Sequence, residues 1–336
     1  MRLRQLKILL AIVENGLNIT AAADKLFTSQ PGVSKQLKLL EEELGLKLFT
    51  RKGKSLESIT PEGEEVVRRA QAILSEVRAI QDLSGQRYEQ EDGTLAIATT
   101  HTQARYVLPE IISRFRERYP GVRLDLHQGT TEQIAGMAAE RQVNFAIATG
   151  SQHLFRNWAL LPCYRWDRNV IVPSGHPLAS RNLPPTLAEL AEYPLVTYVF
   201  SSSGESSFKR AFAEAGLEPK IAFTARDADV IKTYVRMGLG VGVVASMAAR
   251  CEEGDLVALD GTGLFPRVTT WLGFPRDLLW RRYMYEFAEQ FAPQWSPRQI
   301  TRALACATQE EIATLVPEDE LPLRNACGEV PAPAPS

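Results

Sequence analysis

The chain has 336 residues, enough for two or three domains with sizeable buried cores. Its formal net charge of −2 excludes a globally cationic nucleic-acid coat but permits a local basic module. The four cysteines (Cys163, Cys251, Cys306, Cys327) are scattered with no CxxC pair, which favours free cytosolic thiols over a zinc site. No stretch approaches the roughly 20 apolar residues that span a bilayer. The N-terminal apolar run from Ile8 to Val13 is too short for a secretion signal and ends at Glu14 without a cleavage site. A cytoplasmic protein without membrane contact is expected.

The first 60 residues carry ten Lys and Arg against six acids, so the chain opens with a locally positive head. Leu3, Leu6, Leu10 and Val13 recur at helical spacing. Thr20 is placed to cap a short second helix through Phe27, and Ala21 to Ala23 let it pack closely. "TSQPG" interrupts, and Pro31 suits the first turn of a third helix because a missing N–H costs nothing there. Val33, Leu37, Leu40 and Leu44 form its buried stripe, leaving Ser34, Lys35 and Lys38 opposite, with Gln30 near its start. Short hydroxyl, amide and cationic groups so placed reach base edges and phosphates in a major groove. A plain helical hairpin with a solvated charged face is the competing reading. "FTRKGKSLESIT" favours the first, because two β-prone segments flank the basic tip Arg51, Lys52 and Lys54 and form a wing. Its "GKS" is no P-loop, since Leu48 stands where the first glycine belongs.

The run Thr20 to Ala23, Ser29-Gln30-Pro31, Val33-Ser34, Gln36-Leu37, Leu40-Glu41, Leu44-Gly45 and Leu48-Phe49-Thr50-Arg51 resembles the winged helix-turn-helix head of the LysR-type transcriptional regulators. Gly32 stands in place of the more usual alanine. The resemblance implies binding to double-stranded operator or promoter DNA. It places Ser29, Gln30, Pro31, Ser34, Lys35 and Lys38 at the reading helix and Arg51, Lys52 and Lys54 on phosphates.

Thr60-Pro61 followed by Glu62, Glu64 and Glu65 marks the start of another helix. Val66, Ala70, Ile73, Val77 and Ile80 then alternate steps of four and three, a coiled-coil seam about two heptads long. An amphipathic helix packed on its own chain would look similar. Paired half-sites on DNA need two heads at fixed spacing, so the seam is assigned to a homo-oligomer, dimer or tetramer.

From Thr94 onward short apolar strands alternate with helices, the rhythm of a mostly parallel sheet. The rhythm breaks after Thr149, and a second α/β set follows before "VTTWLGF" and the last long helix return to the first. Two α/β lobes joined by two crossings make a cleft. Enzyme motifs are incomplete. "GLGVGV" leads into a strand rather than joining strand to helix, and Ser201 to Ser203 lack the glycine of a nucleophile elbow. His101 has no acid or nucleophile placed beside it by a recognisable motif.

"TTHTQARY" (99–106) fits a different chemistry, because ligands collect where a strand's carboxyl end meets a helix N-terminus. Thr100, Thr102 and Gln103 supply neutral donors there, Thr149 lies at a second strand end, and Ser202 and Ser203 precede a helix of the second lobe. Together they describe a cage for a small oxyanion, against the plainer alternative of three unrelated helix caps. "ATTHTQARYVLPEII", "LPCYRW" and "DADVIKTYVRMGLGVGVVASMA" resemble the cysteine-regulon activator branch of the family, CysB- and Cbl-like proteins. That resemblance implies sulfate or an acetylated serine as effector, adds Trp166 to the cleft, and carries Thr100, Thr102, Gln103, Thr149 and Ser203 over by motif. Arg165, where a histidine is usual, Arg226 and the Ser201-Ser202-Ser203 run depart from the branch.

The expected fold is α/β with an N-terminal all-α winged helix-turn-helix and a two-lobed, periplasmic-binding-protein-like effector domain. The head spans 1–60 and the linker helix 61–90. The effector domain spans 91–295, with lobe I about 91–163 and 268–295 and lobe II about 164–267; a partly disordered tail covers 296–336. The expected function is a transcription factor for sulfur-assimilation genes, with no cofactor beyond its effector, no metal, and RNA polymerase as a further candidate partner. The alternative is a regulator of sulfonate use that responds to adenylyl sulfate.

Overall fold

The computed structural model describes residues 1–53, 55–82, 92–181, 183–199, 206–249 and 254–324, which fall into two compact units. The first begins with α1 (Leu3–Glu14), α2 (Ile19–Lys25) and α3 (Gln30–Leu44). An antiparallel pair, β1 (Phe49–Lys52) and β2 (Ser55–Ile59), and the long α4 (Pro61–Asp82) complete it. Asn18, not Thr20, caps α2: its side-chain oxygen accepts from the Thr20 and Ala21 N–H groups at 3.0 and 3.1 Å. A cap must sit outside the helix to reach the free N–H groups, and Thr20 already lies inside it. Ser29 caps α3, Pro31 occupies its first turn, and Gly45 ends it in the left-handed conformation at φ 68°. Leu6, Leu9, Ile12, Val33, Leu37 and Leu40 form the core, which Val67, Ala70 and Leu74 of α4 join. Gly63 permits the close start of α4, since a Cβ there would stand 2.2 Å from the Leu48 carbonyl oxygen.

The second unit contains two five-stranded sheets. Lobe I runs through β3 (Gly93–Thr99), α5 (His101–Tyr106), α6 (Leu108–Arg118), β4 (Val122–Gln128), α7 (Thr131–Ala139), β5 (Phe145–Thr149) and β6 (Trp158–Trp166). Lobe II holds β7 (Arg168–Pro173), α8 (Leu187–Glu192), β8 (Pro194–Tyr198), α9 (Ser207–Glu214), β9 (Lys220–Ala225), α10 (Ala228–Arg236), β10 (Val241–Ala245) and β11 (Leu256–Leu259). The chain then returns to lobe I through β12 (Val268–Pro275) and α11 (Arg282–Phe291), with α12 (Pro297–Ala305) and α13 (Gln309–Leu315) after it.

The strand orders are β4-β3-β5-β12-β6 and β11-β7-β10-β8-β9. Neither sheet is mostly parallel. In each, the strands that carry the crossings pair antiparallel with their neighbours, because the chain leaves and re-enters at one end. Lobe I reaches Trp166 rather than stopping near residue 163, since β6 pairs with β12 along its whole length. Asp167 and Arg267, one in each crossing, form an ion pair at 3.4 Å.

Residues 296–324 pack onto lobe I. Ile300, Ala303, Ile312, Val316 and Leu321 are buried in its core. The Gln309 amide donates to the Leu160 carbonyl at 2.5 Å and accepts from the Leu160 N–H at 3.0 Å, occupying the free edge of β6. Further along that edge, the Arg165 N–H donates to the Pro322 carbonyl (2.9 Å) and the Arg324 N–H to the Arg165 carbonyl (2.8 Å). The "VPAPAPS" terminus lies outside the described residues.

Candidate functional site

Two surfaces gather the residues singled out above. On α3, Ser29, Gln30, Pro31, Lys35 and Lys38 are exposed and Ser34 is half-buried. The Gln30 amide lies 3.5 Å from the Ser34 hydroxyl, and Lys38 pairs with Glu42 at 3.5 Å along the helix. Lys35 and Lys52 have no ion-pair partner among the described residues, so both charges are available to a polyanion. Arg51 is different. Its guanidinium reaches Glu41, which is 2% exposed and also accepts the Leu48 N–H at 2.9 Å. Arg51 therefore fastens the wing to the reading helix. Lys54 lies outside the described residues. Phe27, missed by the sequence reading, is 99% exposed in the turn before α3 with φ 50°.

On α4, Val66, Ile73 and Val77 are half-buried, whereas Ala70 is spent inside the head's own core. The side chain of Ile80 lies outside the described residues.

The cleft site is organised by a residue the sequence reading passed over. Thr270 of β12 is fully buried, and its hydroxyl accepts from Trp166 Nε1 at 3.0 Å and from the Gln103 amide at 3.4 Å. With both lone pairs taken, its proton is directed to Thr149 Oγ1 at 3.4 Å. Thr149 is thereby left with its own hydroxyl proton to donate. Gln103 receives the Tyr164 hydroxyl on its carbonyl oxygen, which fixes the amide orientation and leaves one N–H unused. Thr102 bonds the Tyr198 hydroxyl of lobe II at 3.4 Å, and the Ala245 N–H donates to that same oxygen at 3.2 Å. Whichever hydroxyl donates, the Thr102–Tyr198 pair retains one spare proton. Burial pushes the Tyr164 and Tyr198 phenols up, so both remain protonated donors.

The structure thus brings Thr102, Gln103, Thr149 and Trp166 together. Thr100 precedes α5 and its hydroxyl makes no capping bond. With six residues, α5 is too short to carry much of a dipole, so side-chain donors dominate this wall. Ser202 and Ser203 lie outside the described residues. Arg168 was not foreseen: it stands beside Trp166 with its guanidinium bonded to the Ser207 hydroxyl at 3.0 Å, and burial lowers its pKa to about 10, so it stays charged. Arg165 points away to the Asp319 carbonyl (3.0 Å) and Arg226 is exposed, so neither departure from the branch alters the wall described.

His101, Asp227 and Asp229 have ligand atoms within 4.8 Å of one another, the metal-like grouping found among the described residues. Asp229 is already held by the Tyr106 hydroxyl at 2.6 Å and Arg105 at 2.8 Å, and Asp227 caps α10 through the Val230 N–H. The group is a polar clasp between lobes. No nucleophile or nucleotide cradle accompanies it among the described residues.

A winged helix-turn-helix followed in the chain by a two-lobed α/β domain is the architecture of a ligand-responsive DNA-binding regulator. Two family models match: "Bacterial regulatory helix-turn-helix protein, lysR family" over residues 3–64 and "LysR substrate binding domain" over residues 88–296. The chain belongs to the LysR-type regulators and is not an enzyme. It is 46% identical over 304 residues to the HTH-type transcriptional regulator CysB of Haemophilus influenzae, covering 90% of this chain and 94% of that one. It is 42% identical to SsuR of Burkholderia cenocepacia, covering 90% of this chain and 99% of that one. The cofactor-binding domain of the Cbl regulator superposes with a TM-score of 0.59 at 42% identity, covering 63% of this chain and 93% of that chain.

Proposed function

We propose that this regulator controls sulfur-assimilation and cysteine-biosynthesis genes as an activator, sensing sulfate or an acetylated serine in the cleft between its lobes. The observation that carries the reading is the donor wall around Thr270. Its neutral hydroxyl and amide groups are already oriented by buried partners and still hold spare protons. Such donors bind a fully ionised oxyanion reversibly, because no reorganisation is needed when it arrives. The likeness to CysB, SsuR and Cbl regulators supports the choice of chemistry.

In this reading Gln30, Ser34, Lys35 and Lys38 meet operator DNA, with Lys52 and Lys54 on phosphates. Val66, Ile73 and Val77 contribute to a seam between copies in a cytoplasmic dimer or tetramer, and RNA polymerase is a further partner. An effector acts only if it binds two lobe arrangements with different affinity. Titrating the protein with sulfate, O-acetylserine, N-acetylserine and adenylyl sulfate, with operator mobility as a second readout, tests the whole. Binding of sulfate or an acetylserine with altered operator mobility is the expected result. A response to adenylyl sulfate alone would assign the protein to sulfonate use, and no binding of any would sink the cleft reading.

A further inference from the structure

We propose that Arg168 is a ligand-binding residue of the cleft, taking a fully negative group of the effector as the counterion that no described residue supplies. The assignment rests on the cleft being the effector site. Arg168 opens β7, directly after the crossing residue Asp167. Its guanidinium lies 5.6 Å from the ring centroid of Trp166 and 5.8 Å from that of Phe265. Nη2 donates to Ser207 Oγ at 3.0 Å and Nη1 to the Pro266 carbonyl at 3.4 Å. These bonds use two of five N–H donors. Among the described residues no carboxylate pairs with it.

Other arginines show the opposite arrangement. Arg51, Arg105, Arg236 and Arg267 each sit on a carboxylate. Arg168 is half-buried against aromatic neighbours and, among the described residues, meets no opposite charge. A residue needed only for those two hydrogen bonds could be neutral, because a desolvated unpaired cation is costly to keep. A guanidinium fork held by Ser207 is instead suited to two oxygens of a carboxylate, sulfate or sulfonate. Its charge also acts on the Tyr198 hydroxyl, which bonds Thr102 of the donor wall. The wall belongs to lobe I and Arg168 to the lobe II sheet, so an anion touching both ties the lobes together.

The test is calorimetric titration of the full chain and of Arg168→Gln and Arg168→Lys with sodium sulfate, N-acetyl-L-serine and the uncharged N-acetyl-L-serinamide. Thermal unfolding without ligand reports folding. Arg168→Gln is expected to weaken whichever anion the wild type binds by about 30-fold, leave the carboxamide unaffected, and unfold no earlier than wild type. Arg168→Lys keeps the charge but loses the fork, and is expected to weaken the anion by about fivefold. Anion affinity of Arg168→Gln within about twofold of wild type would overturn the assignment while leaving the effector-site reading in place. Wild-type protein that binds neither anion would overturn both. Should Arg168→Gln not fold, Arg168→Lys decides, wild-type affinity there counting against the assignment.

Discussion

The reading helix and the cleft wall solve recognition in opposite ways. On α3 most of the proposed recognition groups are exposed, and Lys35 has no ion-pair partner among the described residues. At the lobe junction Thr102, Gln103, Thr149 and Trp166 are buried or half-buried and already engaged through one atom each, with Thr270 distributing three of the bonds. DNA is a large, wet polyanion that long solvated cations can meet with little preparation, and base contacts then specify sequence. A small ion gives no such area, so its site must be oriented before it arrives. In the proposed reading, function on α3 is carried by exposed side chains and function in the cleft by side chains that have partners.

Two buried polar contacts should show the largest effects, one on each side of that contrast. Glu41→Ala leaves the Leu48 N–H without an acceptor and releases Arg51, and should destabilise the head by about 3 kcal/mol in thermal or urea unfolding. Arg51→Ala should share part of this loss, whereas Lys52→Ala should not, which separates the wing's fastener from its phosphate contact. Thr270→Val preserves shape but strands the Trp166 and Gln103 donors and frees Thr149. It should weaken effector binding by about 30-fold in calorimetry, with Thr270→Ser restoring most of it, while ligand-free operator affinity stays unchanged. Loss of operator affinity in Thr270→Val would break the comparison.

Lys35→Ala should weaken operator binding by about 1 kcal/mol, lower the salt dependence by about one counterion, and leave effector titration untouched. Mobility shifts at several salt concentrations measure both quantities. An unchanged salt slope would remove Lys35 from the DNA face.

How much of this was legible in the sequence follows from the same contrast. Exposed groups on a strongly periodic helix announce themselves, so α3, its Pro31 start and its apolar stripe were readable, whereas the Ser29 cap came from the structure. Thr102, Gln103 and Thr149 were singled out because strand ends in α/β sheets are where ligands collect. Thr270 was not, since "VTTWLGF" looks like any buried strand and its partners come from residues 103, 149 and 166. Arg168 in "WDRNVIVP" likewise gave no sign that no described carboxylate would pair with it. The antiparallel edges escaped notice because β6, β7, β11 and β12 have the same apolar composition as parallel strands, and direction is set by where the chain crosses. Residues 296–324 read as a tail because their apolar side chains are sparse, though they complete the lobe I core.

The smallest effect probes the boundary of that legibility. Thr20 and Asn18 are both good caps by residue type, and only geometry separates them. Asn18 lies before α2 with an extended backbone and accepts from two N–H groups. Thr20 is exposed inside the first turn. Asn18→Ala should therefore cost the head about 1 kcal/mol, and Thr20→Ala no more than about 0.5 kcal/mol. The head carries an independent internal control in Ser29, which caps α3 with a bond to the Gly32 N–H at 3.3 Å and also faces the predicted DNA surface. Ser29→Ala should lose stability of a similar size to Asn18→Ala, but it alone should also weaken operator binding. If Asn18→Ala weakened DNA binding as much as Ser29→Ala at equal stability loss, the effect would belong to helix fraying and not to contact, and Ser29 would leave the interface.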